Sequence, residues 1–414
     1  MATSYDNDTG ADLERIYAPV FETFASGFSA NGLIAEARAA TGLADLGGEA
    51  MQEPGFRERL TALCNALETE ANLTELGRTR AHCRLLAMVI SRLRTVDYVH
   101  QSPGLPPIIA PLIGTGMPRS GTSFLQALLA QDPDNLVPRT AHGMVPIPPP
   151  GVLGDEQARL DLTWRMLVFQ GFDSDEVNAI HPFAPDAEDE DVLFQEAACC
   201  ALFSGFYNVP SYIAVQQQGY DEQIVWQKQL MRVIQANQQA SRWVLKAPEY
   251  VTRLGSVLEH YPDAMIFVNH RDPARTIASI ASLYITFQSV NSDVKIPGEY
   301  LGPPLLQGQA ASIRASEEWR EAHPEVKIVD IHYKHLVADP VGTAEALYDQ
   351  FGLEFTDGAR TAMTDWLAAR NRHGQAQSGV KHTYTLGDFG LTEDMVEDAF
   401  GDYLDTYGIE RERS

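Results

Sequence analysis

Apolar residues recur at helical spacing through the first hundred or so positions and then gather into short continuous runs. Between Asp12 and about Val99 the period is helical. In FRERLTALCNALETEANL, residues Phe56, Leu60, Leu63, Cys64, Leu67 and Leu73 fall near one stripe. In LGRTRAHCRLLAMVISRLRTV, residues Leu85, Leu86, Val89, Ile90 and Leu93 do the same. The segment SPGLPP, Ser102 to Pro107, ends this part with chain breakers. Four apolar runs then read as strands: IIAPLIGTG from Ile108, WVLKA from Trp243, AMIFVNHR from Ala264 and VKIVDIHY from Val326. Each lies beside a helical segment. Buried strands alternating with helices predict an α/β fold, with a parallel sheet flanked by helices and a helical N-terminal extension. The expected division is a helical region over residues 1–107 packing on a core domain over residues 108–414.

Two other segments read as irregular. PIPPPG, Pro146 to Gly151, predicts a polyproline connector. Phe287 to Gly308 is rich in Gly, Pro and Ser and predicts a long loop of the kind that closes as a lid over a ligand pocket. Asp173 to Asp191 carries eight acids and no Lys or Arg; the favoured reading is a solvated loop and a helix start rather than a metal site.

Charge narrows the function. With 56 acidic residues against 31 Lys and Arg, the net charge is −25. Such a surface repels nucleic acid and anionic membranes. An anionic ligand therefore needs a local basic pocket. The cysteines Cys64, Cys83, Cys199 and Cys200 show neither CxxC nor zinc spacing, which fits a reducing compartment. The N-terminus lacks a signal-peptide pattern and no run of 18 apolar residues occurs. The expectation is a cytoplasmic protein with no membrane span and no resident metal, with room for a homo-oligomer.

GMPRSGTS, Gly116 to Ser123, follows the first strand and opens a helix. A Gly-rich turn there aims backbone N–H groups at an anion, which makes the sheet P-loop-like. It is not a nucleoside-triphosphate loop of the Walker type, because no Lys precedes Thr122 and the cation is Arg119. At the end of the AMIFVNHR strand, Asp272 and Pro273 read as the start of a helix. Arg271 then sits where open α/β sheets bind ligands, and Ser279 lies about two turns on. Together the loops imply a nucleotide with two separate phosphate sites and no magnesium.

These motifs resemble the PAPS-dependent sulfotransferases, where PAPS is 3′-phosphoadenosine 5′-phosphosulfate. The similarity is greatest to a bacterial long-chain branch whose loop reads Pro-Arg-Ser/Thr-Gly-Thr. Further segments in the same order extend it over nearly the whole chain: HPF, WVLKAPE, HRDP, DPVGTAEALYDQFGL and KHTYTLGDFGL. The resemblance implies an enzyme moving a sulfuryl group from PAPS to a hydroxyl or amine of a small-molecule acceptor. It implies that Arg119, Ser120, Gly121, Thr122 and Ser123 hold the 5′-phosphosulfate, and Arg271 and Ser279 the 3′-phosphate. Lys246 would approach the transferring group, Tyr333 the adenine, and Lys381, with His382, would close over the nucleotide. Two departures stand out. Ala141-His142 replaces a Trp-Glu pair whose Glu is the candidate base in relatives, and Tyr250 replaces a His in the LKAPEY segment. His142 is therefore the expected general base, with His181 and Glu249 as alternatives. Arg119 and Lys246 would stabilise the charge on the leaving oxygen. The competing readings are a nucleotide-dependent phosphotransferase and a non-catalytic homologue that binds the product nucleotide PAP (3′-phosphoadenosine 5′-phosphate).

Overall fold

Strand β1 (Leu112–Gly116) is buried at all five positions, as the central strand of a sheet covered on both faces must be. It lies between β3 (Arg242–Lys246) and β4 (Met265–His270), with β2 (Asn135–Leu136) and β5 (Ile328–His332) at the edges. Every pairing is parallel, with Gly114 opposite Lys246 on one side and Phe267 on the other. The computed structural model describes residues 3–200, 203–240, 242–376 and 384–412, with only the backbone over 371–376. The four strands expected from the sequence are present. The fifth, β2, is two residues long and too short to show a period. It is fixed from the side: Asn135 Nδ2 donates to Leu129 O at 2.7 Å, and Arg242 pairs with Asp132 at 2.7 Å.

Contacts divide the chain into two units. One comprises residues 1–108, 138–239 and 286–295; the other comprises 109–137, 240–285 and 296–414. The second contains the whole sheet. Its apolar core on one side gathers Leu112, Leu125, Leu128, Val244, Phe267 and Leu336.

The first unit is helical. Its axis is the helix Glu75–Gln101, buried on nearly every side rather than along one stripe. Arg92 lies at its centre with no exposed surface, satisfied by the carbonyls of Leu46, Met51 and Ala197 and stacked 4.2 Å from the Phe56 ring. Burying a guanidinium is tolerable only with such partners. The Pro146–Pro150 segment is not an exposed connector. It is buried, and Arg159 donates to Val145 O and Pro148 O along its backbone.

The long loop expected from Phe287 to Gly308 is not observed. The helix Pro273–Ser289 runs through Phe287, and a second helix spans Gly298–Ala322. Close packing explains the composition that reads as a loop. A Cβ on Gly298 would lie 2.2 Å from Asp388 O, and one on Gly302 would lie 2.1 Å from Phe389 O. The two glycines, one turn apart, form the face on which the 386–389 turn rests. Leu306, Ala310 and Ile313 continue the contact into a core with Phe389 and Leu391. Tertiary packing thus overrides the poor helix propensity of the Gly and Pro residues. Among the described residues, no helix is long and apolar enough to cross a membrane.

Candidate active site

The carboxyl ends of four adjacent strands carry the residues singled out in the sheet unit. β1 leads into the Met117–Gly121 turn, β3 ends on Lys246, β4 is followed by Arg271, and β5 is followed by Tyr333. The chain adds strands on one side of β1 and then crosses to the other, as the order β2-β3-β1-β4-β5 records. That crossing creates the crevice where open α/β sheets bind ligands.

The turn itself is bent hard. Ser120 N–H and Oγ both donate to Met117 O, at 3.3 and 2.7 Å. Arg119 has φ 69° and Gly121 φ 91°, both left-handed. For Arg119 that conformation costs about 1–2 kcal/mol, so the surrounding contacts must hold it. Gly121 has a further reason to lack a side chain, since a Cβ there would lie 2.7 Å from the Tyr333 ring. The helix Thr122–Leu129 starts directly after it. The first-turn N–H groups of a helix have no intrahelical acceptor, so they are available to an anion. Ser120 and Thr122 are buried, while Ser123 is exposed.

Arg119, Arg271, Ser279 and Tyr333 are brought together. Arg119 Nε donates to Ser279 Oγ at 3.1 Å, and Arg271 Nη1 donates to Arg119 O at 3.1 Å. The Arg271 guanidinium lies 3.9 Å from the centre of the Tyr333 ring. Its other edge grips the carboxylate of Glu412 from the C-terminal segment, with Nε and Nη2 at 2.9 and 3.0 Å. A planar fork holding two anionic oxygens has the geometry for a phosphate. Lys246 is 2% exposed at the end of β3, with its Cα opposite Gly114. Glu249 follows three residues later, in the turn Pro248–Thr252. Lys381 lies outside the described residues, as does His382.

Two features of this unit are not legible in the sequence motifs. Glu412 is 141 positions from Arg271. Asn269 is fully buried opposite Gly116, and neither its Nδ2 nor its Oδ1 has a partner among the described residues. A buried amide left so is costly and marks the end of β4 as a polar site.

In the helical unit, the short helix Thr140–Met144 presents Thr140, Gly143 and Met144 to a cleft of about 570 Å³ including its mouth. His142 points elsewhere, as the helical period requires of the intervening residue. Its Nε2 lies 3.9 Å from Glu156, and Nδ1 is buried without a partner among the described residues. Burial, together with Arg159 and Arg139, pushes the imidazole down to about 3. It therefore stays neutral near pH 7, and forming its cation is costly. His181 lies behind the cleft lining, its ring centred 4.7 Å from Phe183, which lines the cleft, and 6.2 Å from Phe287, which does not.

Comparison with known proteins agrees with this architecture. The sulfotransferase family profile matches residues 111–357. Omega-hydroxy-beta-dihydromenaquinone-9 sulfotransferases named Stf3, from Mycobacterium bovis and Mycobacterium tuberculosis, are 23% identical over 311 residues. The match covers 73% of this chain and 76% of theirs. Among solved structures, sulfotransferase STF1 of Mycobacterium tuberculosis superposes with a TM-score of 0.72 at 26% identity, covering 91% of this chain and 99% of that one. Sulfotransferase STF9 of Mycobacterium avium gives 0.79 at 23% identity, covering 95% and 100%. With the family profile spanning well over half its length, the chain belongs to the sulfotransferase family, and it is an enzyme that transfers a sulfuryl group to a small-molecule acceptor.

Proposed function

We propose that the sulfuryl donor is PAPS and that the acceptor is a hydroxyl on a largely apolar small molecule. The observation that carries the donor reading is the joining of two basic groups at neighbouring strand ends: Arg119 bonded to Ser279, and Arg271 bonded to the Arg119 carbonyl. PAPS bears anionic groups at both its 5′ and 3′ positions, and one loop serves each. The turn Arg119 to Ser123 takes the 5′-phosphosulfate. Arg271 and Ser279 take the 3′-phosphate, and the Glu412 carboxylate on Arg271 supports this as an anion already held by the same fork. Tyr333, packed on Gly121 and Arg271, flanks the nucleotide.

Sulfuryl transfer then proceeds in line, as phosphoryl transfer does, with negative charge moving to the leaving phosphate oxygen. Arg119 and Lys246 stabilise that charge and supply the positive field that magnesium supplies elsewhere. The acceptor oxygen forms the new S–O bond and gives up its proton. That proton goes to His181 in this reading, rather than to His142. The imidazole of His142 is turned toward Glu156 and weakened as a base by its burial and two arginines, whereas His181 packs edge-on against Phe183, one of the rings that line the cleft. The acceptor class follows from likeness to the Stf3 enzymes, whose name records a hydroxylated dihydromenaquinone. The excess of acid over base supports an enzyme that binds neither nucleic acid nor anionic membranes, and cysteines without CxxC or zinc spacing fit a reducing, cytoplasmic compartment.

The test is turnover with two labelled donors. Label from [35S]PAPS should pass to an apolar alcohol pool, and label from γ-32P ATP should not. Phosphate transfer without sulfuryl transfer would overturn the reading.

A further inference from the structure

The cleft in the helical unit has a lining that selects what enters it. One face of the helix Glu75–Gln101 supplies Arg84 and, one turn on, Ala87. Phe172, Phe183 and Phe206 form an aromatic wall, with Phe172 centred 4.8 Å from Phe183 and 5.4 Å from Phe206. The charged lining residues are Arg84, Asp189 and Glu196, one cation against two carboxylates. Arg84 is 7% exposed and lies 3.9 Å over the Phe206 ring. Its Nη2 is bonded to Glu196, while its Nη1 has no partner among the described residues. Asp189 accepts from Thr140 Oγ1 at 3.1 Å.

A buried guanidinium nitrogen without an acceptor is a standing cost, removed by a ligand oxygen that accepts from it. Most of the remaining lining is apolar, with Ser91, Thr140 and Gln170 as its neutral polar members, and its aromatic rings favour offset or edge contacts with other rings. Net negative lining disfavours an anion, because Glu196 already neutralises Arg84 and Asp189 adds a further negative charge. We propose that this cleft binds the acceptor, and that it selects a neutral molecule with a flat aromatic or quinoid body and an oxygen anchored on Arg84 Nη1. The proposal rests on the sulfuryl-transfer reading for the ligand's role, but its binding chemistry stands apart from the donor.

Three probes test it by equilibrium dialysis without donor: 2-naphthol, naphthalene and 2-naphthoate. The full chain should bind 2-naphthol at least tenfold more tightly than the anion 2-naphthoate and several-fold more tightly than naphthalene. Ala87→Phe, which adds bulk to the cleft lining and leaves Arg84 in place, should weaken 2-naphthol at least tenfold. Arg84→Met should bring 2-naphthol and naphthalene to parity. A cooperative melting transition establishes that each variant is folded; where one is not, the other variant and the wild-type probe series decide. Equal binding of 2-naphthol and 2-naphthoate by the wild type would overturn the proposal, as would undiminished 2-naphthol binding by folded Ala87→Phe. If PAP does not bind while the probe series holds, the donor reading fails and the cleft assignment stands.

Discussion

Arg271 and Glu412 form a two-point ion pair, and the Glu412 backbone N–H donates to Asp272, the residue next to Arg271, at 2.5 Å. The guanidinium assigned to the donor's 3′-phosphate is thus held by a carboxylate from the end of the chain. A phosphate that binds there must displace it. Glu412→Gln keeps the size of the side chain and removes the charge. It should tighten PAP binding about three- to tenfold, in line with the roughly 1 kcal/mol of a partly exposed charge pair. Calorimetric titration reads this directly. Weaker PAP binding in the variant would mean that Glu412 braces the site rather than competing for it.

The same fork predicts selectivity between nucleotides. PAP at a hundred times its Kd should stabilise the fold by about 2.7 kcal/mol. Adenosine 5′-phosphate, which lacks the 3′-phosphate, should do far less at the same concentration. Arg271→Ala should remove most of the difference, and Ser279→Ala a smaller part, since its Oγ also faces Arg119. Melting curves with each nucleotide measure it. Equal shifts from both nucleotides in the wild type would refute the two-phosphate assignment.

How far the sequence speaks depends on whether a contact is local. The β1 turn, the β4 end and the WVLK strand were legible because strand, turn and helix start follow one another within about a dozen residues. The helix Gly298–Ala322 was not, because Gly298 and Gly302 are chosen for the backbone of residues 388 and 389, nearly ninety positions away. Only the packing shows that need. Glu412 is hidden for the same reason. Arg84 looks like any solvated helix residue until the fold buries it beside Glu196. His142 was singled out by position after the loop helix, and position alone does not say which way a side chain on a five-residue helix will turn.

Metal dependence separates this chemistry from phosphoryl transfer. Among the described residues, no three His, Cys, Asp or Glu side chains converge as a metal site would need. With Arg119 and Lys246 supplying the positive charge as proposed, turnover should persist in excess EDTA at more than half the untreated rate. Lys246→Met should lower it by about two to three decades, the range for losing one group that stabilises transition-state charge. A complete loss in EDTA, restored by magnesium, would return the phosphotransferase reading to first place.

The depressed imidazole of His142 gives a prediction in which stability and turnover part company. In the folded chain its value is about 3, against an ordinary 6.5. Below pH 6.5 the unfolded chain takes up a proton that the folded chain refuses, so stability falls as pH drops from about 6.5 to about 3. The slope from this one group approaches about 1.4 kcal/mol per pH unit. His142→Gln cannot take the proton in either state. Whatever its stability at pH 7, its deficit against the wild type should shrink by roughly 2 kcal/mol by pH 5, read by urea unfolding at both values. Because the imidazole faces Glu156 rather than the cleft, the same variant should keep turnover within about threefold of wild type at pH 7.5. His181→Ala should lose about two to four decades, the usual contribution of a proton-transfer group. The reverse pattern, with His142→Gln inactive and His181→Ala active on a genuine acceptor, would return proton removal to His142. It would also require the helix Thr140–Met144 to turn its other face to the acceptor during the reaction.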